Sequence, residues 1–147
     1  MPVIKYESVG KKAESESGLE VRSLVDAHEG SESLRMGEIT IAPHSRIARH
    51  VHSNTEEAIV ILEGTLDVLL GRQRMSLGPG NAVLAPAGSV HGFLNRQEEP
   101  ARILFIFPTH HVEKVLASAP RSTVGFASEK GLTGHQSPGA RPLDRKD

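Results

Sequence analysis

Short apolar segments separated by glycine and proline recur along residues 33–108 of this 147-residue chain. The clearest, residues 58–62, is a β-branched run of the kind found in buried strands, and residues 66–70 follow it as a hairpin partner. Turn signals continue at Gly78-Pro79-Gly80 and Pro86-Ala87-Gly88. Evenly spaced short strands predict an all-β sandwich or barrel.

The N-terminal part, residues 1–32, is less regular. It holds two candidate strands, at residues 3–6 and 21–25, with a charged, serine-rich loop between them. We therefore expect it to add strands and a loop to the main β region.

The C-terminal part divides into two segments. Residues 109–119 carry the one helical periodicity in the chain and predict a short helix, with Glu113 and Lys114 on its solvated face. Residues 120–147 are rich in glycine, serine, proline and charge, which predicts a flexible tail or one that drapes over the barrel.

The composition excludes several classes of function. With no cysteine, the chain can form no disulfide, thiolate-ligated zinc site, iron–sulfur cluster or thiol nucleophile. A net charge of −1, no tryptophan and one tyrosine give neither a basic stripe nor a stacking platform for nucleic acid. No apolar run approaches the roughly 20 residues that span a bilayer, and the N-terminus lacks a signal-peptide layout. We expect a cytoplasmic protein with neither nucleic-acid nor membrane partners, whose eight histidines need an explanation.

Two histidines and two glutamates lie together in His50-Val51-His52-Ser53-Asn54-Thr55-Glu56-Glu57. Residues i and i+2 of an extended chain project to one face, so His50 and His52 would present their imidazoles side by side. A carboxylate from the next strand would complete a set of two nitrogens and one oxygen that suits a divalent transition metal. Taken alone, an H-x-H pair is equally consistent with two surface histidines.

A second segment, residues 80–95, reads G-x5-P-x-G-x2-H-x3-N and contains His91. This is the second signature motif of the cupin superfamily. The first segment matches the first cupin motif, H-x-H-x(3,4)-E-x6-G, through His50, His52, Glu57 and Gly64. The chain therefore resembles a small single-domain, metal-binding cupin, and the resemblance implies a double-stranded β-helix (jelly-roll) barrel with its core at residues 33–108.

The resemblance also implies the metal ligands. They would be His50, His52, Glu57 and His91, holding one divalent ion that could be Fe, Mn, Ni, Cu, Co or Zn. The spacing to Gly64 favours Glu57, although Glu56 remains an alternative. The glycine that usually opens the first motif is replaced by His44, which we expect near the barrel mouth as a neighbour of the ligands. The remaining four histidines are interpreted as incidental: His28, His110, His111 and His135.

A barrel of this kind implies a small, mainly aliphatic substrate pocket beside the metal. Its predicted residues are Ile39, Ile41, Ile59, Ile61, Met75, Phe93, Asn95 and Arg35. Arg35, together with Arg46 and Arg102, is a candidate partner for a substrate carboxylate, because guanidinium binds carboxylate bidentately.

The functional expectation is a metal-dependent enzyme acting on a small polar organic molecule, with a dioxygenase-type oxidoreductase placed first. One alternative is a Lewis-acid isomerase, lyase or cyclase in which Glu57 moves a proton as a catalytic group. Another is a non-catalytic cupin that binds a small molecule. Cupins of this size usually pair, so the resemblance also implies a homodimer.

Overall fold

The structure is a computed structural model that describes residues 1–118. Strands within this part form two antiparallel sheets. The six-stranded sheet contains, in spatial order, β1 (Lys12–Ala13), β2 (Leu19–Val25), β3 (Arg35–Ile41), β10 (Ala101–Phe107), β5 (Glu57–Glu63) and β8 (Ala82–Ala85). The five-stranded sheet contains β11 (Val115–Leu116), β4 (Arg46–Val51), β9 (His91–Leu94), β6 (Leu66–Leu70) and β7 (Gln73–Leu77). The predicted all-β jelly-roll class is confirmed.

The core lies between the two sheets because alternate residues of each central strand point inward. In the six-stranded sheet, Ile61 of β5 pairs with Ile103 of β10, and both side chains are fully buried. Val68 of β6 pairs with Phe93 of β9 in the opposite sheet, and both belong to the same apolar cluster. The sequence patterns at residues 58–62 and 66–70 therefore identify the strands that build this core.

The predicted helix at residues 109–119 is wrong for the part that the structure describes. The chain stays extended there, and β11 adds to the edge of β4, with Val115 opposite Val51 and Leu116 opposite His50. The side chains of Val115 and Leu116 are 62% and 63% exposed, so a helix would have had no apolar partner for them. Backbone pairing with an open strand edge decides the conformation instead. The predicted tail at residues 120–147 lies outside the described residues.

The N-terminal expectations have a mixed outcome. Residues 21–25 form part of β2, but residues 3–6 form no strand, and a 3₁₀ turn covers Tyr6–Ser8. Tyr6 explains this turn, because its hydroxyl donates to the Glu38 carboxylate at 2.9 Å and its ring lies under the Arg22 guanidinium at 3.9 Å. A second 3₁₀ turn covers Ala27–Glu29. No helix among residues 1–118 is long and apolar enough to cross a membrane.

Candidate metal centre

Four polar side chains converge where the ends of β4, β5 and β9 meet. His50, His52, Glu57 and His91, called here the His3Glu cluster, are only 4%, 4%, 7% and 1% exposed. One potential ligand atom from each lies within 4.8 Å of the others. Burial of four such groups in one place requires strong compensation, since polar groups without partners are costly in a protein interior.

Strand pairing positions these side chains. His50 is directly opposite His91 in the β4–β9 pair, so both project to the same face of the five-stranded sheet. Glu57 begins β5 in the other sheet and faces them across the barrel. His52 follows β4, and its carbonyl accepts a hydrogen bond from the backbone of Gly88 at 2.8 Å. Gly88 has a φ of 78°, a conformation that other residues rarely adopt, which explains why the turn before His91 uses glycine.

Each histidine ring is oriented by a backbone carbonyl. The Nδ1 atoms of His50, His52 and His91 lie 2.8, 2.8 and 3.1 Å from the carbonyl oxygens of Ala48, Glu113 and Ser89, respectively. A carbonyl can only accept, so Nδ1 must carry the proton in all three rings. The Nε2 lone pairs are then directed into the cluster, as is usual for histidines that bind a metal.

The contacts inside the cluster show why a cation fits there. Nε2 of His50 lies 3.1 Å from Nε2 of His52, and Oε2 of Glu57 lies 2.9 Å from Nε2 of His91 and 3.2 Å from Nε2 of His52. Four acceptors therefore face one another, which neutral rings and a carboxylate cannot satisfy among themselves. Three imidazole nitrogens and one carboxylate oxygen form a donor set that suits several divalent transition metals.

The ionisation states agree with this interpretation. The pKa of His50 is lowered to about 4, mainly by burial, with smaller contributions from His91, Lys114 and His52 that outweigh part of the opposing effect of the hydrogen bond to Ala48. Burial alone would raise the pKa of Glu57, but hydrogen bonds and positive charge from His52 and His91, which a bound cation would replace, hold the pKa below its ordinary value. At neutral pH His50 is therefore neutral and Glu57 ionised, which are the forms that ligate metals.

A family model described as "Cupin domain" matches residues 37–107, a range that includes the whole His3Glu cluster. Residues 37–107 of this chain form a cupin domain. A polyketide cyclase, RemF from Streptomyces resistomycificus, has a solved structure that matches this cupin with a TM-score of 0.72 and 24% identity, over 82% of this chain and 88% of that one.

Two curated relatives of this cupin come from Streptomyces. The polyketide synthase CurC of Streptomyces cyaneus is 33% identical over 76 residues, which are 52% of this chain and 49% of that protein. The tetracenomycin polyketide synthase protein TcmJ of Streptomyces glaucescens is 27% identical over 96 residues, which are 65% of this chain and 59% of that protein. The chain thus spans about half the length of the curated relatives it matches.

A cavity of about 290 Å³ opens beside the His3Glu cluster. Three of the cluster's four residues contribute to its wall: His50, His52 and Glu57. Much of the remaining wall is apolar: Leu19, Val21, Ile39, Ile47, Phe93, Ile103, Phe105, Phe107 and Val112. Its charged and hydroxyl side chains are Glu14, Ser15, Glu16, Arg35 and Lys114. The volume is close to the lower limit of about 300 Å³ for small-molecule pockets.

The predicted pocket residues fall into two groups. Arg35, Ile39 and Phe93 line the cavity, as the sequence suggests. The others do not, and three of them, Ile41, Ile59 and Ile61, are fully buried in the closed apolar core. The alternation of side chains along a β-strand correctly places them inside the barrel, but it does not indicate which inward-facing positions border the cavity.

Asn95 and Met75 have other surroundings than expected. The fully buried Asn95 amide donates to the carbonyl oxygens of Ile41, Ala42 and Glu99, so it fixes the ends of neighbouring loops instead of facing a substrate. Met75 is 38% exposed on β7, at the edge of the five-stranded sheet, and is not part of the cavity wall. An edge strand has no second neighbour to cover its side chains.

The other candidate arginines and His44 lie away from the cavity. Arg102 is bound to the carboxylates of Glu38 and Glu63 at 2.9 and 2.8 Å, which occupies its guanidinium. Arg46 is exposed at the start of β4. His44, with a φ of 57°, is exposed and pairs with Glu98 at 2.9 Å, so it does not contact the cluster.

Of the remaining histidines, His28 and His111 are exposed and His110 is partly buried. The Nε2 atom of His110 is buried without a hydrogen-bond partner among the described residues. His135 lies outside the described part of the chain.

Sequence reasoning misses three charged cavity residues, Glu14, Glu16 and Lys114. Glu14 and Glu16 belong to the serine-rich loop, and the helical periodicity places Lys114 on a solvated helix face. Nothing in either local pattern indicates a site, because only the tertiary fold brings these two segments together. Glu56, the alternative ligand, is exposed and outside the cluster.

Proposed function

We propose that this cupin is a metal-dependent cyclase that closes a ring in a polyketide-type substrate. The observation that carries the proposal is the buried His3Glu cluster, which opens directly onto a largely apolar cavity. The names of the matched relatives support the substrate class, since they are polyketide synthase proteins and a polyketide cyclase. This favours the cyclase alternative over the dioxygenase expected first.

Ring closure of a poly-β-ketone chain is an intramolecular aldol condensation. A base removes a proton from the carbon between two carbonyls, and that carbon bonds to a carbonyl carbon farther along the chain. The new alkoxide oxygen takes up a proton, and one molecule of water is then lost. These reaction steps need no oxidant or reductant, so a redox-inactive metal ion would be sufficient.

The residues of the chain have separate tasks in this reaction. A divalent metal held by the His3Glu cluster would supply a Lewis acid that polarises carbonyl oxygens and acidifies the neighbouring C–H bonds. Glu57 uses Oε2 for its contacts with His52 and His91, and among the described residues no hydrogen bond is made to Oε1. Because Glu57 lines the cavity, Oε1 is available to accept the proton from carbon.

The apolar wall controls the shape and solvation of the substrate. Ile39, Phe93 and Phe105 border the cavity beside the cluster. Such side chains exclude water and fold a flexible chain so that its reacting carbons approach each other, which supplies part of the rate enhancement. A homodimer, drawn from the family resemblance, and a cytoplasmic location, drawn from the sequence pattern, remain proposals.

The test is product analysis with simultaneous measurement of oxygen. Protein loaded separately with Zn(II), Mn(II) or Fe(II) is incubated with enolisable poly-β-ketones and diketones. A cyclase gives a product lighter by one water and consumes no oxygen. Oxygen uptake with an oxygenated product would instead support the dioxygenase, and tight binding without any product would support the non-catalytic binding protein. A Glu57→Gln variant is the control for spontaneous cyclisation. The substitution should leave the rate of the spontaneous reaction unchanged.

A further inference from the structure

A lysine–glutamate pair lies at the cavity and joins the two segments that border it. Nζ of Lys114 is 3.5 Å from Oε1 of Glu16. The other oxygen of Glu16 accepts a hydrogen bond from the backbone of Ala48 at 2.7 Å, which anchors the glutamate to β4. In this pair the carboxylate of Glu16 is held in place by β4, and the ammonium of Lys114 extends from the C-terminal segment.

The backbone around Lys114 is attached to the His3Glu cluster. The carbonyl of the preceding residue, Glu113, accepts from Nδ1 of His52 at 2.8 Å, and its amide donates to Oδ1 of Asn54 at 3.0 Å. On the other side, Ala117 donates to Arg49 of β4 at 2.9 Å. The backbone is thus hydrogen-bonded on both sides of Lys114, to the cluster through Glu113 and to β4 through Ala117.

Lys114 lines the same cavity as His50 and Glu57, and its side chain is 44% exposed. A lysine ammonium has three N–H donors, and the 3.5 Å contact with Glu16 engages one of them. The remaining donors can reach a molecule in the cavity.

We propose that Lys114 is a catalytic residue that donates a hydrogen bond to the substrate oxygen on which negative charge develops, and that Glu16 is its positioning residue. The inference rests on the proposed cyclase function and specifies its substrate as a 1,3-dicarbonyl compound that reacts through its enolate. One oxygen of the enolate is at the His3Glu cluster and the other at Lys114. No bond to Lys114 forms or breaks, because its contribution is electrostatic.

The experiment measures binding of two small diketones to the zinc-loaded full chain. The first probe, 2,4-pentanedione, forms an enolate, whose binding is followed by ultraviolet difference spectroscopy. The second, 3,3-dimethyl-2,4-pentanedione, has the same two oxygens but cannot form an enolate, and its binding is followed by calorimetry. Lys114→Met should weaken enolate binding by about tenfold or more, as expected for a lost charge-assisted hydrogen bond. It should change binding of the second probe by less than about threefold.

Three variants complete the design. Lys114→Arg, which keeps the charge, should restore most of the enolate affinity, and Glu16→Gln should have an intermediate effect because Lys114 is then less well positioned. Lys11→Met is the matched control, since Lys11 also pairs with a glutamate, Glu20, at 3.6 Å but does not line the cavity. It should bind both probes as the wild type does. Zinc content and Tm are measured for every variant.

Several results would overturn the inference. These are equal weakening of both probes in Lys114→Met, unchanged enolate binding in that variant, or loss of zinc both in Lys114→Met and in Lys114→Gln, a second variant that removes the charge but keeps a polar side chain. Absence of enolate binding by the zinc-loaded wild type would overturn it as well. The proposed function is decided separately, because ring closure is read from the water lost in the product of the wild-type protein and not from any variant of Lys114.

Discussion

Glu57 is the one carboxylate among the three imidazoles of the His3Glu cluster. It supplies the cluster's negative charge, which partly neutralises a divalent cation in a site that is shielded from solvent. An amide at the same position keeps an oxygen donor but loses this charge.

Glu57→Gln is therefore expected to weaken divalent-metal affinity at least about tenfold, measured by competition with a chromophoric chelator. Glu56→Gln is the matched control, because the neighbouring Glu56 is exposed and outside the cluster. Equal weakening by both substitutions would contradict the assignment of Glu57 as the ligand.

At the residue scale, the sequence identifies the site residues whose spacing within one segment follows a motif. The two histidines at i and i+2 and the fixed distances to Gly64 and His91 are properties of single segments, and the structure brings these histidines and Glu57 together. Lys114 and Glu16 are different, since they are separated by 98 residues and meet only through the pairing of distant segments. No periodicity within either segment could indicate that contact.

At the element scale, the C-terminal segment beside β4 connects the fold to the site. Its pairing with β4 includes Val115 opposite Val51, and it continues through the hydrogen bond from Ala117 to Arg49 at 2.9 Å. The same segment provides the Glu113 carbonyl that orients His52. Detachment of this short strand from β4 should therefore disturb the metal site.

Ala117→Pro removes the donor to Arg49 and should loosen the segment. We expect metal affinity to fall about tenfold, because the partner that orients His52 becomes mobile. Amide hydrogen exchange of residues 113–117 should accelerate in the same variant. Ala117→Val keeps the donor and serves as control. Faster exchange without any loss of metal affinity would show that the Glu113 carbonyl does not contribute to the site.

The elements also show why some predictions succeed and others fail. Alternation of apolar residues identifies β5 and β10 because both are central strands whose inward faces meet the core. The helical periodicity at residues 109–119 is misleading, because the open edge of β4 offers backbone hydrogen bonds that an exposed helix could not match. An unpaired strand edge is a tertiary property and leaves no trace in the local sequence.

At the scale of the whole molecule, the cluster stores unfavourable contacts that metal binding relieves. The Nε2 atoms of two buried imidazoles, His50 and His52, lie 3.1 Å apart and destabilise the metal-free fold. A ligand present at about 1,000 times its Kd adds about 4 kcal/mol to the free energy of unfolding.

Removal of the metal with a chelator should therefore lower Tm by at least about 5 °C in scanning calorimetry. A His52→Ala/His91→Ala double variant should show no such dependence on the chelator. A wild-type Tm that is unaffected by the chelator would mean that the metal does not stabilise the fold.

The homodimer implied by the family resemblance also belongs to this scale and remains a prediction. Sedimentation equilibrium of the metal-loaded protein tests it, and a mass of about 15.8 kDa at all concentrations would contradict it.

The central claim is that His50, His52, Glu57 and His91 hold a metal ion, and metal analysis of purified protein tests it most directly. The protein should retain about one divalent transition-metal ion per chain after exhaustive dialysis, as expected for a single four-ligand site. The His52→Ala/His91→Ala variant, purified in the same way, should retain none. Full occupancy in that variant, or a wild-type protein that binds no divalent metal even when reconstituted, would contradict the account.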